Sequence, residues 1–451
     1  MEGKENNLLL INPWVYDFAA YDLWAKPLGL LYLAALLIKN RWTITYIDCL
    51  DVYHPALKIL GIKKPRRRPD HRGHFYREEL TKPSPLQSVP RRFYRFGLPP
   101  EVFRKALPAL PAPRAILITS GMTYWYQGVH DVIKIVKKAF PRVPVILGGI
   151  YATLCAEHAE ANSGADFICK GQGESQILAL LEGLTGVAPC TPSDFNDLDS
   201  LPSPAFDLYP HLDYCCCLAS RGCPFQCTYC ASPLLNPRFV RRDPAQVVEE
   251  IGRCVREYGV EDIAFYDDAL LIDGQSAIAL LQGIRERGIK ARFHTPNGLH
   301  ARGVTEEVAH LMREVGFVTL RLSLETTSQE RQRTTGGKVS TVEFQSALHN
   351  LRQAGYAPGE IGTYVLAGLP GQARAEVEET ISFVTECGAR PYLAEYSPIP
   401  GTPLWADAVY CSPFDLQGEP LFHNNTILPC RWDGFDWDDL QALKAMAHTD
   451  R

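Results

Sequence analysis

The chain has 451 residues, 46% hydrophobic and 22% charged, the balance of a folded globular protein and not of a disordered, collagen-like or disulfide-stapled one. A formal net charge of −5 argues against binding nucleic acid through overall electrostatics. Its 14 cysteines are about 3% of the length, far below a small secreted disulfide scaffold, so buried, metal-binding or catalytic thiols are expected.

In chain order, residues 8–11 form a short apolar strand closed by Asn12-Pro13, with no basic head or long apolar core of a secretory leader around it. A cytoplasmic location is expected. Residues 27–38 are the longest apolar run, 12 residues between Lys26 and Lys39, too short to span a bilayer and suited to a buried helix. Residues 43–47 have the β-branched and aromatic bias of a strand. This β-α-β start is interrupted by a basic, proline-rich insertion at residues 51–114. The pattern resumes with a strand at 115–119, a helix at 129–140, strands at 143–147 and 166–169, and a helix at 174–184. Strands alternating with helices predict a mostly parallel, doubly wound α/β domain over residues 1–185. Ligands of such sheets lie beyond the carboxyl ends of the strands, where Asn12, Ser120-Gly121, Gly148-Gly149 and Gly171-Gln172-Gly173 fall.

Charge is uneven. Residues 61–100 hold 11 Lys or Arg against 3 acids, densest at 63–72 (KKPRRRPDHR). Such a stretch can grip phosphates, or it can be an ordinary solvated loop. His71, His74, Tyr76 and the run Arg91-Arg92-Phe93-Tyr94-Arg95-Phe96 are candidate substrate contacts; interleaved Phe and Arg can stack on bases or form an amphipathic packing surface.

Residues 186–212 read as a linker, with five prolines between 189 and 210. A second alternation follows. Strands are expected at 214–219, 262–266, 291–294, 317–323, 361–367 and 392–396, with helices at 245–257, 275–287, 306–315, 342–354 and 375–387. Six β-α units fall short of a closed eight-unit barrel, so a partial (β/α)6 barrel is expected over 213–400, then a carboxyl-terminal extension, 401–451.

Six of the cysteines lie between 215 and 230. Cys215-Cys216-Cys217 sit on a strand and read as core residues. Cys223, Cys227 and Cys230 are spaced by four and three in the loop behind that strand. Sulfurs this close suit a cuboidal iron-sulfur cluster with one iron left open, the rival being a structural zinc completed by a fourth ligand.

The stretch Ser220-Arg221-Gly222-Cys223-Pro224-Phe225-Gln226-Cys227-Thr228-Tyr229-Cys230 resembles the cluster loop of radical S-adenosylmethionine enzymes, C-x-x-x-C-x-Φ-C. That resemblance implies a [4Fe-4S] cluster on Cys223, Cys227 and Cys230 whose open iron chelates S-adenosylmethionine, with Tyr229 beside the adenine. One electron then breaks a carbon-sulfur bond and yields a 5'-deoxyadenosyl radical. Tyr266-Asp267-Asp268 resembles the strand end that receives the methionine ammonium, so Asp267 and Asp268 are its expected acceptors. Ser323 and Glu325 would meet the ribose, Gly368 in the turn Leu366-Ala367-Gly368-Leu369-Pro370-Gly371 would meet the adenine, and residues 397–402 resemble the end of the last strand.

The amino-terminal half is similar to the cobalamin-binding domain of B12-dependent members of that family, through Pro27-Leu28-Gly29-Leu30, Thr119-Ser120-Gly121, Gly148-Gly149-Ile150-Tyr151-Ala152-Thr153 and Lys170-Gly171-Gln172-Gly173-Glu174. Ser120, Gly148, Gly149 and Thr153 would then face cobalamin. The D-x-H-x-x-G motif that supplies a histidine to cobalt is absent, so no histidine ligand is expected. The resemblance implies cobalamin-dependent methylation of an unactivated carbon in a small-molecule or peptide substrate, with an external electron donor such as flavodoxin or ferredoxin. The alternatives are another radical step, such as ring closure or rearrangement, and an iron-sulfur or cobalamin sensor without catalysis, its basic insertion touching nucleic acid. No membrane partner is expected.

Overall fold

The structure, a computed structural model, describes residues 6–190 and 197–448. Residues 1–5 of the first expected domain, 191–196 of the expected linker and 449–451 of the expected extension lie outside the described residues. The chain divides into two compact units, Met1–Leu212 and Asp213–Arg451.

In the first unit, β1 (Asn7–Asn12) leads to α1 (Leu28–Lys39) and β2 (Thr43–Asp48). After the insertion come β3 (Ala115–Ile118), α2 (Tyr126–Ala139), β4 (Val145–Leu147), β5 (Phe167–Ile168) and α3 (Ile177–Thr185). The strands form one parallel sheet in the order β5-β4-β3-β1-β2. The chain therefore starts in the middle, steps outward to β2, then crosses back past β1 to β3. That reversal is a topological switch point, and a crevice opens there between the carboxyl ends of β1 and β3. Strands buried on both faces must be apolar throughout, which is why Leu8, Leu10, Ala115, Leu117 and Ile146 pack with Leu36 and Leu37 of α1 in one core.

The insertion adds a three-stranded antiparallel sheet of Val15–Asp17, Arg77–Leu80 and Phe93–Phe96. Phe93 and Phe96 are buried, so they are not offered to bases, and the packing alternative holds for this run. The basic stretch is also partly turned inward. Arg67 pairs with Asp22 at 2.7 Å with both side chains buried, and Arg72 pairs with Asp70 while lying over the Trp24 ring. The linker expectation needs correction too. Ala205 joins the core around α1, its amide donates to the Leu31 carbonyl, and the Tyr209 hydroxyl donates to Asp48, so apolar side chains among the prolines fix residues 205–209 to the first unit.

Within α2, His130 Nε2 lies 3.1 Å from the Tyr151 hydroxyl, which also meets His158 Nδ1 at 2.7 Å. Burial first, then the neighbouring His158, pushes His130 down to about 4. A base with a folded pKa below its unfolded value binds fewer protons when folded, so stability falls as pH drops from about 6.5 towards 4. Urea midpoints at pH 7 and pH 4.5 should show that His130→Phe removes about 2 kcal/mol of this acid loss. An unchanged acid dependence would place the sensitivity elsewhere.

The second unit starts with β6 (Tyr214–Cys217) and continues as α4 (Pro244–Tyr258), β7 (Asp262–Phe265), α5 (Gly274–Glu286), β8 (Arg292–His294), the short β9 (Leu299–His300), α6 (Glu306–Val315) and β10 (Phe317–Glu325). It ends with α7 (Thr341–Gln353), β11 (Ile361–Ala367), α8 (Arg374–Glu386), β12 (Arg390–Glu395) and α9 (Trp437–His448). Helix limits follow their caps: Asp243 ahead of Pro244 and Gly259 after Tyr258 bound α4, and a Ser340/Glu343 capping box opens α7.

Six parallel strands lie in sequential order, β6-β7-β8-β10-β11-β12, with β9 added on β10. Right-handed crossovers that always step the same way put every helix on one face, and the sheet curls as an open, partial barrel. Phe265, Phe293 and Phe317 stack across β7, β8 and β10 at centroid distances of 5.2 to 6.0 Å. Cys215, Cys216 and Cys217 are all buried in β6, consistent with core packing. From the extension, α9 packs against α8 and β12, with Lys444 paired to Glu395 at 2.7 Å.

Candidate active site

The loop behind β6 carries the three cysteines, and neighbouring segments fix its path. The Thr228 amide donates to the Thr335 carbonyl, the Leu404 amide to the Thr228 carbonyl and the Cys230 amide to the Cys227 carbonyl. Gly336 comes so close that a Cβ there would stand 2.9 Å from the Cys227 Cα, and its φ of +124° also requires glycine. Cys227 is buried, with Cys223 and Cys230 half-buried.

Burial raises all three thiols, Cys227 to about 11, and the Lys338 ammonium opposes that rise at each. A cuboidal cluster takes one thiolate at each of three iron corners, which suits three sulfurs spread along one loop. The donor chemistry thus fits a [4Fe-4S] cluster.

Around the loop, the barrel strands deliver polar groups from their carboxyl ends, as the fold requires. Asp268, after β7, accepts a 2.6 Å hydrogen bond from Ser232 Oγ, tying this strand end to the cluster loop. Burial raises its carboxyl pKa. Asp267 is turned towards the segment ahead of the cysteine loop. Its carboxylate accepts from the Ala219 and Ser220 amides and from Ser220 Oγ at 2.6 Å, and burial raises it to about 6. It therefore braces the segment leading into Cys223, whereas Asp268 turns to the cysteine loop through Ser232.

Ser323 lies opposite His300 in the β9-β10 register. Glu325, expected at a ribose, accepts from the Tyr229 hydroxyl and forms an ion pair with Lys338. Burial and the Glu325 charge raise the Tyr229 phenol. Tyr229 and Glu325 are thus joined, and Lys338 completes the group. Gly368 donates its amide to Gln372 Oε1 at 2.9 Å, and Gln372 Nε2 donates to the Leu366 carbonyl, which fixes the turn after β11.

Three residues escaped sequence reasoning. Lys338 and Gly336 belong to Thr335-Gly336-Gly337-Lys338, whose paired glycines before a lysine were a usable signal. His300 had none, since an isolated histidine is commonplace. Its Nε2 stands 3.8 Å from Cys223 Sγ.

In the first unit, Ser120, Gly148, Gly149 and Thr153 come together at the ends of β3 and β4. Ser120 Oγ donates to the Gly148 carbonyl at 2.6 Å, Thr153 Oγ1 to the Gly149 carbonyl at 2.8 Å, and the Gly171 amide to Thr153 Oγ1 at 3.0 Å. Gly149 has φ of +94°, and a Cβ there would meet the Ser120 carbonyl oxygen at 2.3 Å. These residues therefore build a shelf of small groups, hydrogen-bonded to one another, beside the switch point. Asn12 and Asp48 join across β1 and β2 at 2.7 Å. His54 Nδ1 accepts from the Ala56 amide as a helix cap.

Residues 218–384 match the radical SAM superfamily, and residues 97–181 match the B12 binding domain. The chain is a radical S-adenosylmethionine enzyme with a B12-binding domain. The B12-domain match begins at Gly97, so β1 to β2 and most of the insertion precede it. This radical SAM enzyme is 26% identical to an uncharacterized methyltransferase of Pyrococcus horikoshii, over 71% of this chain and 72% of that one. It is 23% identical to cytidylyl-2-hydroxyethylphosphonate methyltransferase of Streptomyces wedmorensis, over 97% of this chain and 89% of the relative. Among solved structures, the radical S-adenosylmethionine methyltransferase TsrM of Kitasatospora setae, with cobalamin and a [4Fe-4S] cluster bound, superposes with a TM-score of 0.65 at 15% identity, covering 90% and 75% of the two chains. The shared fold is a B12-type domain followed by a radical SAM barrel. Among the described residues no helix is long and apolar enough to cross a membrane.

Proposed function

We propose that this enzyme methylates an unactivated carbon of a small-molecule or peptide substrate, using cobalamin and S-adenosylmethionine and drawing electrons from an external flavodoxin or ferredoxin. One observation carries the proposal: a three-thiol loop at the carboxyl edge of a partial barrel and a small-residue shelf at a sheet switch point occur in the same chain. The relatives named as methyltransferases support it.

When bound, the cluster supplies the electron that cleaves S-adenosylmethionine, and cobalamin carries the methyl group. The chain's own residues have separable tasks. Cys223, Cys227 and Cys230 hold three irons. Asp268 accepts the methionine ammonium in a charge-assisted bond, while Ser232 fixes its orientation. Tyr229, held by Glu325, presents its ring to the adenine; Ser323 and Glu325 face the ribose and Gly368 lies by the base. Ser120, Gly148, Gly149 and Thr153 would hold the corrinoid.

Product counting tests this. Protein reconstituted anaerobically with iron, sulfide and a corrinoid, then given S-adenosylmethionine, a reductant and candidate substrates, should release 5'-deoxyadenosine and S-adenosylhomocysteine in equal amounts. Deoxyadenosine alone would indicate ring closure or rearrangement. Neither product from cluster-loaded protein would indicate a sensor.

A further inference from the structure

His300 ends β9 and sits beside β10, at the barrel edge that carries the cysteine loop. Its surroundings leave it little freedom. The imidazole stacks on Phe225, between the first two cysteines of the motif, with centroids 5.1 Å apart and planes inclined by 22°. The guanidinium of Arg302 lies 4.9 Å from the same phenyl centroid and donates to the Gly337 carbonyl. Phe225 is therefore in contact with both an imidazole and an anchored guanidinium, and the ring of His300 is held with Nε2 facing Cys223 Sγ.

The other nitrogen decides the tautomer. Among the described residues His300 Nδ1 is buried without a hydrogen-bond partner. A neutral imidazole carries one N–H, and a buried donor with no acceptor is costly. A proton on Nδ1 would be such a donor, whereas on Nε2 it meets a sulfur. The lower-energy form thus keeps its proton on the nitrogen facing the cysteine.

We propose that His300 donates its Nε2–H to the Cys223 sulfur of the cluster-loaded enzyme and, by drawing electron density from that corner, raises the cluster's reduction potential. Hydrogen bonds to cluster sulfurs set potential in this way because they favour the more negative, reduced state. His300 is on this view a positioning and tuning group, and the inference rests on the cluster assignment above.

The test is an EPR-monitored redox titration of anaerobically reconstituted protein, poised with dithionite and mediators without S-adenosylmethionine. His300→Phe preserves the stacked ring on Phe225 and removes the donor. At the wild-type midpoint its ratio of reduced to oxidised cluster should fall about tenfold, equivalent to about 59 mV for one electron. His300→Gln restores an N–H donor and should recover part of that shift. Pulsed EPR of the reduced wild-type cluster, which needs no variant, should show weak coupling to one imidazole nitrogen. A wild-type potential in iron-loaded His300→Phe overturns the proposal, as does a wild-type spectrum with no nitrogen coupling or with coupling strong enough for direct ligation. Iron content separates this from the larger assignment: wild-type protein that never takes up a cluster overturns both.

Discussion

A Cys227→Ala chain should fold, bind almost no iron and release no detectable 5'-deoxyadenosine. Cys227 is the middle cysteine, and the adjacent Thr228 bonds both to the Thr335 carbonyl and to the Leu404 amide, while Gly336 lies close against Cys227 itself. Loss of the sulfur therefore leaves the loop in place and removes one corner of the cluster. Two remaining thiols cannot hold a cuboidal cluster against water, and electron delivery to S-adenosylmethionine has no other route. Cys216→Ala is the matched control. Cys216 is fully buried in β6, so its replacement should cost about 1 kcal/mol through a small cavity and leave iron content unchanged. Iron and sulfide analysis with Mössbauer spectra reads both variants. Wild-type iron stoichiometry in Cys227→Ala would refute the ligand set.

Much of the framework was legible because it depends on short-range patterns. Most strands of both sheets are apolar or β-branched runs, with β1, β2, β4 and β11 closed by Asn, Asp or Gly, and the helices of the second unit begin and end close to where periodicity and caps place them. The grouping of Cys223, Cys227 and Cys230 was legible because residues on one loop keep their spacing in the sequence. The remaining site residues depend on which strands become neighbours. Asp267 and Asp268 are adjacent in sequence, yet one turns to the Ala219-Ser220 backbone and the other to Ser232, a division no one-dimensional pattern encodes. Lys338 follows the short helix Gln329–Thr334 and reaches Glu325 only through tertiary packing. The basic stretch misled for a related reason. Counting charges cannot show that the Arg67 partner, Asp22, lies 45 residues away.

Lys338→Met should destabilise the cluster-free chain by about 3 kcal/mol, and Glu325→Gln in the same chain should restore most of the loss. The two side chains form a mostly buried ion pair, and the Tyr229 hydroxyl donates to the same carboxylate. Removing one member of a buried pair leaves the other charge desolvated without compensation, which costs more than the pair itself contributes. The lysine alone is missing in Lys338→Met, and Glu325 then faces the Cys227 and Cys230 thiols and the Tyr229 phenol without its paired cation. With Glu325→Gln the charge is gone as well, while Tyr229 keeps an amide oxygen as acceptor. A double-mutant cycle in urea should thus give a coupling of about 2 kcal/mol. Iron loading supplies a second axis, since Lys338 is also the cation that opposes the burial penalty at Cys223, Cys227 and Cys230. Lys338→Met should accordingly take up iron more slowly than wild type at pH 7, where its thiols release protons less readily, and should approach the wild-type rate as pH rises. Additive stabilities in the cycle, together with an unchanged uptake rate, would mean that Lys338 is merely a surface neighbour of the site.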